Sequence, residues 1–439
     1  MLKKILKFIV LILIMIGIIC GISVSMKKSN PEKQKKEFDS KFFDLVQTRE
    51  AEVTSFYTYG KAFNLSGKIV GINKDNFESV KLVVMDGIDY EKSYKLNYEF
   101  DKNTLFFSSD NEINSGIIID ELEEKEYICL IRVKLNNSID AKYYSLNNSS
   151  EYQNIEYYTI TKDGENKKAD IGFLEKNKED KTYSYLSINL ENNELPEEVY
   201  DIVIDAGHGG KDTGEKLGSD TEANISLEYA YLLKSSLENE GYKVKLTRDN
   251  ENSEFYNSTN MYDSGGRISS ACKSKAKLMI SFHVNNGVNK LSGLEIYCPC
   301  KSNLIFAQTM ANKINEYTNI NFSNNNSFKQ LEGVYVRNFT KTIIKEYENT
   351  AKKKGYEPYP LTEDTPYLYT IREVGGIATN AYVDGRNKDY SANAYYNSNQ
   401  GIECYQIELG YIKNDLNIIK NEKEGYIRAI TESIVEFNK

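Results

Sequence analysis

The hydrophobic pattern changes character along the chain. Phe8 to Met26 runs 19 residues without a charge, preceded by Lys3, Lys4 and Lys7 and followed by Lys27 and Lys28. That length suits a membrane-spanning helix, while Ser23 and Ser25 suit the small-residue end of a removable secretion signal. Segment 1–26 is therefore read as a transmembrane anchor or a signal peptide, and either one delivers the rest of the chain outside the cytoplasm. Residues 27–54, rich in Lys, Glu and Gln, predict a polar stalk. From 55 to 190 short strand-like runs, such as Val80 to Val84 and Tyr127 to Val133, alternate with Asn, Asp, Gly and Ser clusters, which predicts an all-β, sandwich-like accessory domain.

A polar stretch around Pro196 reads as a linker, and the period changes after it. The apolar strand Ile202 to Ile204 precedes a helical spacing of Leu227, Ala230, Leu233 and Leu237, and strands at Tyr242 to Leu246 and Leu278 to Phe282 follow. Strands alternating with helices predict an α/β fold over 199–439, a twisted, mostly parallel sheet flanked by helices. At 439 residues the chain exceeds what one hydrophobic core usually supports, in keeping with several domains. A formal charge of -9 argues against nucleic acid as a partner. With no Trp, sugar-stacking surfaces must come from 34 Tyr and 18 Phe. Beyond the leader, Cys129, Cys272, Cys298, Cys300 and Cys404 have no framework spacing and are expected to be reduced and packed.

The chemistry concentrates around two histidines, His208 and His283, the only ones in the chain. Each follows an apolar strand, and strand ends are where clefts open in α/β sheets. Neutral imidazole is a good ligand for zinc, and a catalytic zinc site needs three protein ligands. Glu222, at the start of the predicted helix and reached through a glycine-rich loop, is the candidate third ligand. Alone, each residue has an ordinary alternative: a turn for Gly209-Gly210, a favourable charge at a helix N-terminus for Glu222.

Ile204-Asp205-Ala206-Gly207-His208-Gly209-Gly210-Lys211-Asp212-Thr213-Gly214 resembles the opening motif of zinc-dependent N-acetylmuramoyl-L-alanine amidases. The resemblance continues in order through Glu222 to Leu227, Thr247-Arg248-Asp249, Arg267, Ser281 to Asn285, Gly293 to Tyr297, and Ile407 to Asn414. It covers about 199–439. It implies a phosphorylase/hydrolase-like sheet, Zn²⁺ held by His208, Glu222 and His283, and peptidoglycan as substrate, cut between N-acetylmuramic acid and L-alanine. Zinc would polarise the amide carbonyl and acidify water, with Glu408 as general base and then general acid. Asp205 is expected to orient the His208 loop, and Glu295 to support a histidine ligand or form a plain ion pair.

About 320–400 is longer than a minimal amidase of this kind needs and reads as an insertion. Arg372 and Arg386, with Tyr382 nearby, are candidates for gripping a stem-peptide carboxylate and stacking on sugar, or for internal ion pairs; Asn285 is a further substrate-binding candidate. A wall-binding or regulatory protein without hydrolysis, and a zinc peptidase cutting another wall amide, stay open as alternatives. The sequence does not name a protein activator.

Overall fold

The computed structural model describes residues 40–47, 49–86, 90–109, 116–136, 138–149, 153–159, 166–178, 180–250, 266–286, 290–355, 358, 361–381 and 398–438. Segment 1–26, Tyr382 and Arg386 lie outside the described residues. Among those described, no helix is long and apolar enough to cross a membrane.

In the accessory domain the apolar runs are buried on both faces. Within the strand Phe77–Asp86, Leu82 and Val84 enter a core shared with Val53, Phe56, Leu65, Ile131 and Leu186. The intervening Val83 and Met85 point the other way, because side chains alternate along a strand. There they meet Ile128, Leu130, Tyr183 and Tyr185, covered by Phe42, Phe43 and Val46 of the helical segment 40–46. This corrects the expectation of a polar stalk through residue 54. Packing begins at that helix, whose three buried side chains, Phe42, Phe43 and Val46, are hidden in a charged stretch, and the first strand, Glu50–Tyr59, opens before residue 55. Lys142–Asn148 pairs antiparallel with Glu126–Leu135 and parallel with Glu50–Tyr59. It thereby joins two antiparallel halves into one 13-stranded sheet folded over a common core.

The second sheet has seven strands, in the order Val244–Leu246, Ile202–Ala206, Leu278–Asn285, Glu403–Tyr411, Glu295–Tyr297, Val334–Tyr335 and Lys329–Leu331. The first four are parallel; Glu295–Tyr297 turns antiparallel to Glu403–Tyr411. One face presents Ile202, Ile204, Leu278, Ile280, Tyr405 and Ile407 to the helices Glu222–Asn239, Leu304–Tyr317 and Lys423–Phe437. On the opposite face Val203, Met279 and Cys404 lie under the short helices Arg267–Lys273 and Tyr369–Val374. Towards the strand ends that face becomes polar, with Asp205, Ser281, His283, Gln406 and Glu408. The 320–400 stretch adds the last two strands of the sheet, the exposed helix Lys341–Lys354 and the covering helix Tyr369–Val374. All five described cysteines are free thiols.

The two sheets meet at the starting ends of the parallel strands, away from those polar tips. Thr58 and Tyr59 pair parallel with Gln400 and Gly401, and Tyr59 Oη shares a 2.7 Å hydrogen bond with Ser302. Lys277, one residue before the His283 strand, donates to the carbonyl of Tyr158 and lies 4.4 Å from the Tyr157 ring centroid. Burial lowers its pKa to about 8. Gly60 makes this approach feasible: its φ is +56°, and a Cβ there would lie 2.9 Å from Glu403 Oε2. Gly60→Val is therefore expected to destabilise the protein by about 1–3 kcal/mol through backbone strain and lost docking. A lowered urea midpoint checks this, and an unchanged midpoint shows that the docking carries no stability.

Candidate active site and metal centre

Three strand ends and one helix start converge here. Thr221 caps the helix Glu222–Asn239, its side chain accepting from Asn224 N, and places Glu222 in the first turn, buried beside the ends of the His208 and His283 strands. Glu222 Oε1 lies 3.1 Å from His208 Nε2 and 2.9 Å from His283 Nδ1, and accepts from Val284 N at 3.0 Å; Oε2 accepts from Glu215 N at 3.0 Å. One ligand atom from each of His208, Glu222 and His283 lies within 4.8 Å of the others. The set of two imidazoles and one carboxylate matches the three-ligand pattern of catalytic zinc sites.

The surroundings fit an ion as well. His208 Nδ1 is 2.8 Å from Asp212 Oδ2, which fixes the tautomer and turns Nε2 towards Glu222. Two glycines leave the space: a Cβ on Gly207 would lie 2.5 Å from His283 Cε1, and one on Gly214, at φ +58°, 2.5 Å from Glu222 Oε2. Burial disfavours a charged His208, but Glu222 and Asp212 outweigh it and push its pKa up to about 9. Burial also acts to raise Glu222, yet both imidazoles hold it well below the usual carboxylate range.

His208 has φ +61°, uncommon for a residue with a side chain, and two buried arginines keep the loop in place. Arg248 donates to the carbonyls of Ala206, Gly207 and Ala223 at 2.7–3.0 Å. Arg267 donates to those of Ala206 and His208 at 3.2 and 2.8 Å, and its Nε lies 3.0 Å from Asp205 Oδ1. Asp205, fully buried, also accepts from Thr247 and Ser281. Burial would raise its pKa, but Arg267 and the two hydroxyls hold it low.

Glu408 stands beside His283, in register with it on one side and with Glu295 on the other. Burial, partly offset by the charge of His283, pushes its pKa up to about 7. Among the described residues, no hydrogen bond joins Glu295 to His208 or His283. Its carboxylate instead accepts from Asn285 (2.9 Å), Tyr297 (2.8 Å), Ser323 (2.7 Å), Tyr411 (2.5 Å) and Asn325 (3.3 Å), which ties Asn285 to the edge of the site. The carboxylate supporting a histidine is Asp212, four residues after His208 within the glycine-rich motif, a spacing that offered the signal. Arg372 is buried, its Nε on Glu373 and its Nη1 on the carbonyls of Pro366 and Tyr367, so these donors are turned inward rather than to a ligand.

A family model described as N-acetylmuramoyl-L-alanine amidase matches residues 202–437. The chain is 32% identical over 90 residues to the germination-specific N-acetylmuramoyl-L-alanine amidase of Bacillus subtilis, 19% of this chain and 38% of that protein. It is 28% identical over 204 residues to a putative N-acetylmuramoyl-L-alanine amidase of Buchnera aphidicola, 44% of this chain and 89% of the other. The solved amidase AmiC2 of Nostoc punctiforme aligns over 55% of this chain and 97% of its own, at 20% identity and a TM-score of 0.34. Across the first two curated relatives the chain spans less than half their length, 46% and 38%. With over half its length matched by that family model, the chain belongs to the N-acetylmuramoyl-L-alanine amidase family.

Proposed function

We propose that the chain is a zinc-dependent peptidoglycan hydrolase that acts outside the cytoplasm and cuts the amide between N-acetylmuramic acid and the L-alanine of the stem peptide. The observation that carries this reading is the register match of Glu408 to His283, which sets a buried carboxyl beside the His208, Glu222 and His283 cluster. These three residues would hold the zinc ion, and Asp212 would keep His208 in the ligating tautomer. Zinc, when bound, supplies a polarised carbonyl and water acidified to a pKa near ~7. Glu408 takes the proton from the attacking water. As the acyl C–N bond breaks, it passes that proton to the departing amine nitrogen, leaving a free lactyl carboxylate and an amino-terminal alanine. Burial suits Glu408 to both tasks, since a carboxyl whose pKa is raised towards neutrality is a stronger base than an exposed one and still an acid able to give the proton back near pH 7.

Five outcomes are expected. Glu408→Gln lowers kcat by roughly 10²–10⁴-fold, the usual worth of a general base, with zinc content unchanged. Mass spectrometry of a wild-type wall digest then shows intact stem peptides with free amino-terminal alanine, whereas crosslink fragments point to a peptidase. On the acid side, activity falls as Glu408 takes up a proton, with a midpoint at or below pH 7 because a nearby dication favours the carboxylate. Finally, Glu222 and Asp212 favour the protonated form of His208 in the metal-free protein, so zinc uptake at pH 7 is expected to release a net number of protons. Calorimetry in buffers of different ionisation enthalpy measures that number, and Asp212→Ala weakens zinc affinity roughly 10–100-fold.

A further inference from the structure

The strand Glu403–Tyr411 is buried throughout, and alternation sets Gln406 on the same face as Glu408, one pleat nearer the start of the strand. Its side chain is 7% exposed, and Nε2 donates to Glu408 Oε1 at 2.9 Å. The donor assignment follows from chemistry, since an ionised carboxylate only accepts. Gln406's register partners have other commitments: Ser281 Oγ donates to Asp205 and Tyr297 Oη to Glu295. Among the described residues, Gln406 is thus the one hydrogen-bond donor to Glu408, and Oε2 has no protein partner. Without such a contact a carboxyl turns freely about its terminal torsion, whose energy wells are broad. With one oxygen pinned, the plane of the group is set and Oε2 is left as the oxygen outside that hydrogen bond.

We propose that Gln406 is a positioning residue for hydrolysis, pinning Oε1 of Glu408 so that Oε2 is the oxygen that carries the proton; this role rests on the reading of Glu408 as the base. The observation is particular to a polar side chain at this place in the strand, where an apolar one would fill the same buried volume equally well.

The test compares Gln406→Met, which keeps the length and removes the donor, with Gln406→Asn, which keeps the amide and withdraws it by one methylene. For both, kcat on purified peptidoglycan is expected to fall roughly 10–100-fold, the scale of a small misplacement of a reacting group. KM, zinc stoichiometry and thermal midpoint stay at the wild-type values. Wild-type kcat in either folded variant overturns the proposal. So does loss of zinc or of thermal stability in step with kcat, the behaviour of a residue that only packs. Glu408→Gln separates the two readings. Activity surviving in that variant removes Glu408 as the base, whereas an inactive Glu408→Gln beside a fully active Gln406→Met removes only the positioning role.

Discussion

Asp205 carries its charge where water does not reach, and the site is arranged around that constraint. Arg267 at 3.0 Å balances the charge, while Thr247 and Ser281 supply hydrogen bonds from the flanking strands. Losing one partner of such a buried pair costs about 3–5 kcal/mol, so Arg267 is held firmly. Its remaining donors then reach the carbonyls of Ala206 and His208, and Arg248 grips the same loop from the other side. Through this pair, a carboxylate that touches no reacting atom determines where His208 stands. The left-handed backbone at His208 is tolerable because five arginine hydrogen bonds to nearby carbonyls hold the loop around it.

The same alternation separates stability from chemistry. Odd and even positions of the Leu278–Asn285 strand face opposite ways: Ile280 and Phe282 enter the helix-covered core, while Ser281 and His283 join the polar face. Glu403–Tyr411 repeats the pattern with Tyr405 and Ile407 against Gln406 and Glu408. At the opposite ends of these strands, Lys277 and Glu403 lie against the accessory domain. The accessory domain thus docks where the strands begin, and the candidate chemistry sits where they finish. The strands connect the two regions as rigid elements, and their register sets Glu408 level with His283.

Much of this was legible in the residues. Two histidines, each closing an apolar strand, and Glu222 opening a helix are local patterns, and the alternation of strands and helices after Val199 predicts the α/β sheet. The buried helix at 40–46 was hidden because Phe42, Phe43 and Val46 are too few to outweigh the charges around them until Tyr183 and Tyr185 come to meet them. The role of Glu295 was also hidden. Its donors Ser323 and Tyr411 come from distant segments, so no spacing along the chain identifies it as the anchor of Asn285 rather than support for a histidine. Arg372 shows the opposite case: an arginine among glycines and tyrosines suggests a ligand clamp, and folding turns its donors inward to Glu373 and two carbonyls.

By itself the sequence determined which side chains are able to ligate, bend or alternate, because those properties follow from residue type and from periods of two and 3.6 along the backbone. Only the tertiary structure decided which of them meet. Strand register and buried charge pairing act between residues far apart in the chain, and so place Glu408 level with His283, Gln406 against Glu408, and Asp205 with Arg267.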